Sequence, residues 1–257
     1  YGGDWRWYGF DSETEIFSSA MAPELVDASS NILSIAEDHN GRIWLGTANG
    51  IFIMEPGSLK PIRTISKANS LMPTNRIEAL LVDDGKVYIG TSKGLMVIGE
   101  NKQALIEAFT DRTILGLKKY RRLSSTGEIP VGEKAIKTDP IVWVNTDAGL
   151  YRYDSMNKAT EKVTDFSVDD FVVLEDEVRI LNNNRLFTID SEETQALTTL
   201  NGQEGIAKLK EVNGLITGGN RNGVELTVLT DYGLSFFQTN HFESMILPFD
   251  EERDGRT

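Results

Sequence analysis

The sequence predicts an all-β fold, a β-propeller made of four-stranded antiparallel blades. Three observations predict it: a unit that recurs five times, apolar runs of strand length within each unit, and no sustained helical period. Aligned on one repeat position, the copies fall at Trp44, Tyr88, Trp143, Arg179 and Thr227, in steps of 44, 55, 36 and 48 residues. This spacing fits the ~40–50 residues of a propeller blade and is too long for leucine-rich or ankyrin repeats.

The first complete copy shows why each element is expected. Short apolar runs have the length of strands, and Gly41 and Gly50 can take the positive φ that tight turns require. The predicted strands of this copy are Ile32 to Glu37, Ile43 to Thr47, Ile51 to Ile53 and Pro61 to Ile65.

Later copies repeat the same order of strands and turns. Ile77 to Val82 is the next inner strand and Asp83-Asp84-Gly85 its turn, while a short helix competes with an outer strand from Gln103 to Phe109. Fourth strands are expected at Glu161 to Thr164, Gln195 to Leu200 and Glu243 to Phe249. A stretch rich in glycine and asparagine, Gly214 to Gly223, predicts a loose loop.

The two ends of the chain set the predicted blade count. Trp5 to Tyr8 and Glu15 to Phe17 have the spacing of the third and fourth strands, so residues 1–30 are interpreted as the outer half of a blade. The whole chain, 1–257, is then a single propeller domain of five blades plus this half blade. Its repeats lie near 31–70, 71–112, 113–165, 166–203 and 204–250. Either the ring closes by pairing its ends, or the chain is a fragment of a larger propeller.

Composition excludes several classes of function. The chain has 26 basic and 39 acidic side chains and a formal charge of -13, which disfavours nucleic acid as a partner. It has no cysteine and only two histidines, His39 and His241, so thiolate, disulfide and most imidazole chemistry is excluded. No catalytic residue, metal site or cofactor is predicted. No apolar run approaches the ~18 residues of a membrane span, and Tyr1 does not begin a signal peptide, so direct membrane insertion of this segment is not expected.

One string of residues identifies a related family. Residues 32–51 read Ile-x-Ser-Ile-x-x-Asp-x-x-Gly-x-Ile-Trp-x-Gly-Thr-x-x-Gly-Ile, which resembles the two-component regulator propeller repeat. The copy at 77–95 is similar, with Tyr88 in place of tryptophan and a turn one residue shorter. In the fourth copy Asn182-Asn183-Asn184-Arg185 replaces the Gly-Thr-x-x-Gly pattern, and Asn184 is expected to take the positive φ there.

The resemblance implies an extracytoplasmic role. Such propellers form the periplasmic sensor part of hybrid histidine kinases of Bacteroidetes, or belong to related exported proteins that include a component of the type IX secretion system. It therefore implies a periplasmic or cell-surface location, no kinase activity in this chain, and a homodimer if the chain is part of a sensor kinase.

Trp44, Tyr88 and Trp143 share one position on the second strand of their blades. A row of aromatic faces could stack on sugar rings, but packing between blades is the favoured interpretation because these rings bring large apolar areas to a core.

Acidic side chains are the candidates for catalytic or metal-binding groups. Asp38 is expected to accept hydrogen bonds from the backbone of its own turn, with His39 beside it in solvent. Asp169-Asp170 and Glu175-Asp176-Glu177 are interpreted as solvated turn charges, because adjacent residues on a strand point to opposite faces. The terminal run Asp250 to Arg253 is interpreted as a solvated end.

Two groups of residues remain as binding candidates. Lys118, Lys119, Arg121 and Arg122 begin a basic insertion that ends at Lys137, which is either a docking site for an anionic glycan or acidic partner, or a mobile solvated hairpin. The second group lies where second-to-third-strand turns and inter-blade links should gather, and its polar side chains suit an oligosaccharide. It comprises Asn31, Asn49, Asn75, Lys93, Asp147, Arg185 and Tyr232.

The function hypothesis that follows is a non-catalytic, ligand-sensing module of an exported bacterial protein. It would form the extracytoplasmic part of a two-component signalling system and recognise a glycan. The alternative is an interaction scaffold at the cell surface or in a secretion complex, with a protein as partner. Lyase or hydrolase activity is a third, weaker hypothesis that needs a pocket bringing several carboxylates or tyrosines together.

Overall fold

The protein is described here by a computed structural model. The backbone is described for strands at 6–11, 16–21, 198–199, 212–217, 226–230, 233–238 and 241–246. Backbone and side chains are described over most of the chain between 31 and 190. The ranges there are 31–55, 58, 60–83, 85–99, 102–120, 140–174, 177–183 and 185–190, with the side chains of 177 and 190 excepted.

Strands dominate the described part of the chain, and a short 3-10 helix spans Glu107–Phe109. The strands are, in chain order, β1 Arg6–Asp11, β2 Ile16–Met21, β3 Ile32–Glu37, β4 Ile43–Thr47, β5 Gly50–Met54, β6 Pro61–Ile65, β7 Ile77–Asp83, β8 Lys86–Thr91, β9 Gly94–Ile98, β10 Gln103–Leu105, β11 Ile114–Lys118, β12 Ile141–Thr146, β13 Gly149–Asp154, β14 Ala159–Lys162, β15 Asp170–Val173, β16 Glu177–Asn182, β17 Arg185–Asp190, β18 Thr198–Thr199, β19 Val212–Thr217, β20 Leu226–Thr230, β21 Gly233–Gln238 and β22 His241–Ile246.

These strands form, within the described residues, five four-stranded sheets and one two-stranded sheet. Each larger sheet takes four consecutive strands in chain order, and we call these sheets blades 1 to 5: β3–β6, β7–β10, β11–β14, β15–β18 and β19–β22. The two-stranded sheet pairs β1 with β2 antiparallel. The prediction of four-stranded antiparallel blades preceded by a half blade is confirmed.

The chain divides into two compact units, residues 1–117 with 144–148 and residues 118–143 with 149–257. Each blade lies inside one of the predicted repeat ranges. The assignment of residues 1–257 to one domain stays a prediction.

The blades share a strict register at the turn between their second and third strands. Thr47 pairs with Gly50 in blade 1, and Thr91 pairs with Gly94 in blade 2. The inner strands of these two blades also share a bulge after their first residue, so Leu33 and Glu78 have no partner in the ladder. A repeat in the sequence is therefore also a repeat in hydrogen bonding.

The core of blades 1 and 2 lies between their facing sheets. Trp44 of blade 1 belongs to one buried cluster with Ile77, Leu80 and Ile89 of blade 2. In the second unit, Trp143 belongs to a corresponding cluster of buried residues. Packing between blades is confirmed for Trp44 and Trp143, whose clusters contain residues of the next blade. Tyr88 is buried as well, so the three faces do not form an open sugar platform.

Close packing between blades requires small residues at one site. A Cβ on Gly46 would lie 2.7 Å from Cγ2 of Ile77, and one on Gly90 would lie 2.6 Å from Cγ2 of Ile114. On the inner strands, Ser34 pairs with Gly46 and Ala79 pairs with Gly90.

In blade 3 the glycine lies on the first strand instead of the second. Its second strand carries a buried asparagine, Asn145, at the repeat position of Gly46, and its inner strand carries the glycine, Gly116.

Sequence predictions about local structure are corrected at several strands. The predicted loop beginning at Gly214 is part of strand β19 as far as Thr217. Gly214 pairs with Leu229, and the bulge lies at the preceding residue, Asn213. The fourth strand of blade 3 begins at Ala159, two residues before Glu161, because the hairpin closes at Lys158 with φ 58.

The outer strand of blade 5, β22, begins at His241, two residues before the predicted Glu243. In blade 4, strand β18 at Thr198–Thr199 lies inside the predicted range Gln195 to Leu200. In blade 4 the described residue with positive φ is Asn183, at φ 50, while Asn184 lies outside the described residues. Between Gln103 and Phe109 both alternatives occur, since strand β10 is followed by the 3-10 helix.

Candidate functional site

A buried threonine organises each turn between the second and third strands of blades 1 and 2. The Thr47 hydroxyl donates to the carbonyl of Gly50 at 2.9 Å and accepts from the backbone N–H of Asn49 at 3.0 Å. Thr91 makes the same two bonds with Gly94 and Lys93. Each threonine therefore hydrogen-bonds the backbone of its own turn. The side chains of Asn49 and Lys93 on these turns are exposed.

The links between blades lie directly against these turns. The backbone N–H of Ser92 donates to the carbonyl of Arg76 at 3.3 Å, and the Thr113 hydroxyl donates to the carbonyl of Ser92 at 3.3 Å. The carbonyl of Thr113 in turn accepts from the N–H of Asp147 at 3.0 Å. We call this surface, residues 48–49, 66–76, 92–93, 110–113 and 147–148, the turn edge.

The first link, residues 66–76, is held in one conformation by its own polar side chains. The carboxamide oxygen of Asn69 accepts from the N–H of Ser66 at 2.8 Å, and that of Asn75 accepts from the N–H of Lys67 at 2.7 Å. Gln103 of blade 2 accepts from the N–H of Leu71 at 2.9 Å. The turn edge thus has a fixed backbone, which lowers the entropy that a ligand would have to overcome.

The structure brings four of the predicted ligand-binding residues to this surface. Asn49, Lys93 and Asp147 are exposed at its turns, and Asn75 is half-buried in the first link because its carboxamide holds the link together.

The remaining predicted residues are placed differently. Asn31 is exposed directly before β3, and Arg185 is exposed at the start of β17. Tyr232 of the ligand group and Arg121 and Arg122 of the basic insertion lie outside the described residues.

At the opposite ends of the strands, Asp38 holds the first hairpin of blade 1. Its carboxylate accepts from the backbone N–H groups of Asn40 and Arg42, from Nε of Arg42 at 2.8 Å and from the indole Nε1 of Trp44 at 2.9 Å. Burial alone would raise the pKa of Asp38, but these hydrogen bonds, with that of Trp44 first, outweigh burial and lower it. The predicted structural role of Asp38 is confirmed, and His39 is exposed as expected.

The basic insertion begins differently from the prediction. Lys118 is the last residue of strand β11, and its ammonium group lies 2.5 Å from the carboxylate of Asp170 and 5.2 Å from the ring centre of Phe171. Asp170 is therefore an ion-paired, half-buried strand residue and not a solvated turn charge. Lys119 is half-buried as well, so the two described members of the basic run are not displayed on a free loop.

Other acidic side chains also serve local structure. Asp154 closes the outer hairpin of blade 3 by accepting from Asn157 and Met156, and its pKa is lowered by these hydrogen bonds, the backbone N–H of Asn157 contributing most. Among the residues the structure describes, no three histidine, aspartate or glutamate side chains are grouped so as to hold a metal ion. The described part of the chain contains no helix that is both long and apolar enough to cross a bilayer.

Residues 27–49 match the family model for the two component regulator propeller. The matched segment contains strands β3 and β4, the Asp38 hairpin and the Thr47 turn. The predicted resemblance is thereby confirmed in the copy on which it was strongest. No curated protein matches the chain.

Solved structures show the same fold as this repeat-bearing chain. The extracellular domain of BT4673 from B. thetaiotaomicron, described in one structure as a hybrid two component system, is 18% identical over 82% of this chain with a TM-score of 0.61. PorZ, a surface component of the type-IX secretion system of Porphyromonas gingivalis, is 14% identical over 95% of this chain with a TM-score of 0.58. A chain of the mitotic checkpoint complex is 15% identical over 93% of this chain, with a TM-score of 0.63.

The fold is a β-propeller, as predicted. The chain spans 27% of the BT4673 chain and 30% of the PorZ chain.

The threonines of the turn edge were not predicted as organising residues. Their signal is present in the sequence, since Thr47, Thr91 and Thr146 occupy one repeat position, each directly after a glycine or asparagine and three residues before a glycine. Lys67 and Arg76 were not predicted either, because no motif marks them and only the folded links bring them beside the turn of blade 2.

Proposed function

We propose that this chain is the non-catalytic, ligand-sensing part of an exported two-component signalling protein and that it binds an oligosaccharide at the turn edge. The observation that carries the proposal is the two-component regulator propeller repeat at residues 27–49, on a chain whose fold is that of an extracellular domain of such a system. On this proposal the chain works outside the cytoplasm, in the periplasm or at the cell surface. Signalling by a sensor kinase would require it to act as a homodimer.

The use of the carboxylates supports binding without catalysis. General acid and base catalysis needs carboxyl groups that are free to exchange protons with a substrate. Asp38, Asp154 and Asp170 instead accept hydrogen bonds or an ion pair that hold hairpins and strands.

The turn edge supports an oligosaccharide as the ligand. Sugars are bound by planar amides, carboxylates and cations that hydrogen-bond to several hydroxyl groups, and a rigid scaffold with exposed polar turns presents such groups well. Asn49, Lys93 and Asp147 are exposed there on turns whose backbone is already satisfied by Thr47, Thr91 and Thr146.

Calorimetric titration of the protein with a panel of bacterial, plant and host oligosaccharides tests the proposal. For an oligosaccharide that binds, the double variant N49A/D147A should weaken affinity about tenfold or more, since each lost ligand hydrogen bond is worth about 1 kcal/mol. The matched control is H39A/K86A, which removes two exposed polar side chains from the opposite ends of the strands and should leave affinity unchanged. Absence of heat with every oligosaccharide would contradict the proposal.

A protein-interaction scaffold is the second candidate. The likeness to PorZ over 95% of this chain favours it, as do exposed apolar side chains such as Ile35 and Met156. This candidate predicts that one bacterial envelope protein co-purifies with the chain and that oligosaccharides do not displace it. Displacement by an oligosaccharide would support the sensor instead.

A further inference from the structure

Three cationic residues from separate parts of the sequence lie on the turn edge. Lys67 and Arg76 belong to the first link and Lys93 to the turn of blade 2, and all three side chains are exposed. We call these three residues the cationic patch. Their location is notable because the protein as a whole carries a formal charge of -13.

Two hydrogen-bonded junctions bring the members of the cationic patch together. The N–H of Lys67 binds the carboxamide of Asn75, the residue before Arg76, at 2.7 Å. The carbonyl of Arg76 binds the N–H of Ser92, the residue before Lys93, at 3.3 Å. Since consecutive Cα atoms are about 3.8 Å apart, each junction keeps two cationic residues within reach of one short ligand.

The charge of the patch is only partly neutralised by the protein. Glu78 pairs with Arg76, whose side chain remains half exposed. In the described part of the chain, the ammonium groups of Lys67 and Lys93 enter no ion pair.

The nearest other carboxylates on the turn edge lie on the far side of the turn of blade 2. Asp111 adjoins Arg112, and Asp147 is bonded through its backbone to Thr113. The patch therefore keeps an excess of positive charge at a surface whose backbone is fixed.

We infer that the cationic patch selects an acidic oligosaccharide, one that carries uronate or sulfate groups, over a neutral sugar of the same skeleton. This inference rests on the proposed function and names the substrate class of the same turn edge. Two unpaired ammonium groups and a guanidinium attract repeated anions along one sugar chain. A long polyanion such as nucleic acid is repelled by the remaining acidic surface, so a short acidic chain fits best.

The test compares two probes that differ in charge alone: hexagalacturonate and its methyl ester, with a chondroitin sulfate hexasaccharide as a sulfated probe. The variant K67A/K93A should bind the acidic probe about tenfold more weakly than the wild type at low salt, with a smaller difference at high salt, because ions screen exposed charges. The control K86A/K102A also removes two positive charges, but from exposed positions at the opposite strand ends. It should change affinity less than about twofold. Circular dichroism checks that all variants are folded.

The outcomes separate this inference from the proposed function. Equal affinity for the acid and its methyl ester, or binding of neutral oligosaccharides alone, would overturn the inference and leave oligosaccharide sensing in place. Equal losses in K67A/K93A and K86A/K102A would overturn the assignment to the cationic patch. A glutamate hexapeptide that binds as tightly as hexagalacturonate would show that the patch selects an acidic peptide. Failure of every oligosaccharide to bind would overturn both proposals.

Discussion

Blades 1 and 2 carry the clearest copies of one repeat, yet their inner strands are buried to different extents. Leu80 of blade 2 is 9% exposed, whereas Ile35, at the same repeat position in blade 1, is 60% exposed. Leu80 lies on the face that packs against Trp44 of blade 1. The comparison teaches that repeat position sets the direction of a side chain, while the neighbouring sheet decides how much of it is buried.

The hairpins of the two blades differ as well. Blade 1 closes its first hairpin around the carboxylate of Asp38, which binds four donors. Blade 2 has a turn one residue shorter, with Gly85 at φ 70, and Tyr88 in place of Trp44. Blade 1 therefore depends more on one charged side chain, and blade 2 more on apolar burial.

The largest expected effect is on the free energy of unfolding, and it should differ between Gly50 and Gly94, the glycines that end the threonine turns. In blade 1 Gly50 has φ 119, and a Cβ there would lie 2.6 Å from the carbonyl oxygen of Ile65. G50A should lower the free energy of unfolding by about 4 kcal/mol, because backbone strain and a clash with main chain add. G94A in blade 2, where the nearest atom is 3.3 Å away, should cost less in the same urea titration.

The next effect tests burial directly at one repeat position. L80A should lower the free energy of unfolding by about 3 kcal/mol, since it leaves a cavity in the cluster between blades 1 and 2. The matched variant I35A should cost under about 0.5 kcal/mol because most of its side chain already meets water. Similar urea midpoints for the two variants would contradict the difference between the blades.

The Asp38 hairpin should show both a mutational and a pH effect. D38N should lower the free energy of unfolding by about 2 kcal/mol, because the carboxylate's hydrogen bonds to Arg42 and Trp44 are charge-assisted and largely buried.

The pH effect has a definite sign. Because folding lowers the pKa of Asp38, its stabilisation is complete above the ordinary aspartate pKa of about 4 and is lost as pH falls through the lower folded value. Thermal melts between about pH 6 and pH 3 should thus converge for wild type and D38N toward acid. A constant gap between the two proteins would disprove the role of the charge.

The smallest effect concerns the threonine turns. T91V keeps the shape of the buried side chain and removes the bonds to Gly94 and Lys93, so it should cost about 1 kcal/mol. T47V should cost the same in blade 1, because its two bonds are equivalent. Unequal losses in thermal melts would show that the two turns are not interchangeable.

Much of the fold could be predicted from sequence because strand pairing here is local. β3, β4 and β6 begin and end at the predicted residues, since each hairpin is encoded by neighbouring apolar runs and a glycine or aspartate turn. The end of strand β19 was predicted as a loop because Gly214 begins a stretch rich in glycine and asparagine, whereas Gly214 pairs with Leu229 directly after a bulge at Asn213.

The candidate site was predicted less completely because its groups come from different blades. Asn49, Lys93 and Asp147 could be found from turn position alone. The ion pair of Lys118 with Asp170 joins residues 52 apart in sequence. The proximity of Lys67, Arg76 and Lys93 depends on two hydrogen bonds, one to the carboxamide of Asn75 and one to the carbonyl of Arg76. The basic insertion as a docking site stays a prediction, because Arg121 and Arg122 lie outside the described residues.

The exchange of glycine and asparagine in blade 3 has a consequence for protein engineering. In blades 1 and 2 the second strand carries a glycine at this repeat position, whereas blade 3 carries the buried Asn145 there and a glycine, Gly116, on its first strand. A chimera that transplants β12 into blade 1 without β11 would place Asn145 opposite Ser34 and crowd the interface. An exchange of segments between these repeats should therefore move the first two strands of a blade together as one hairpin.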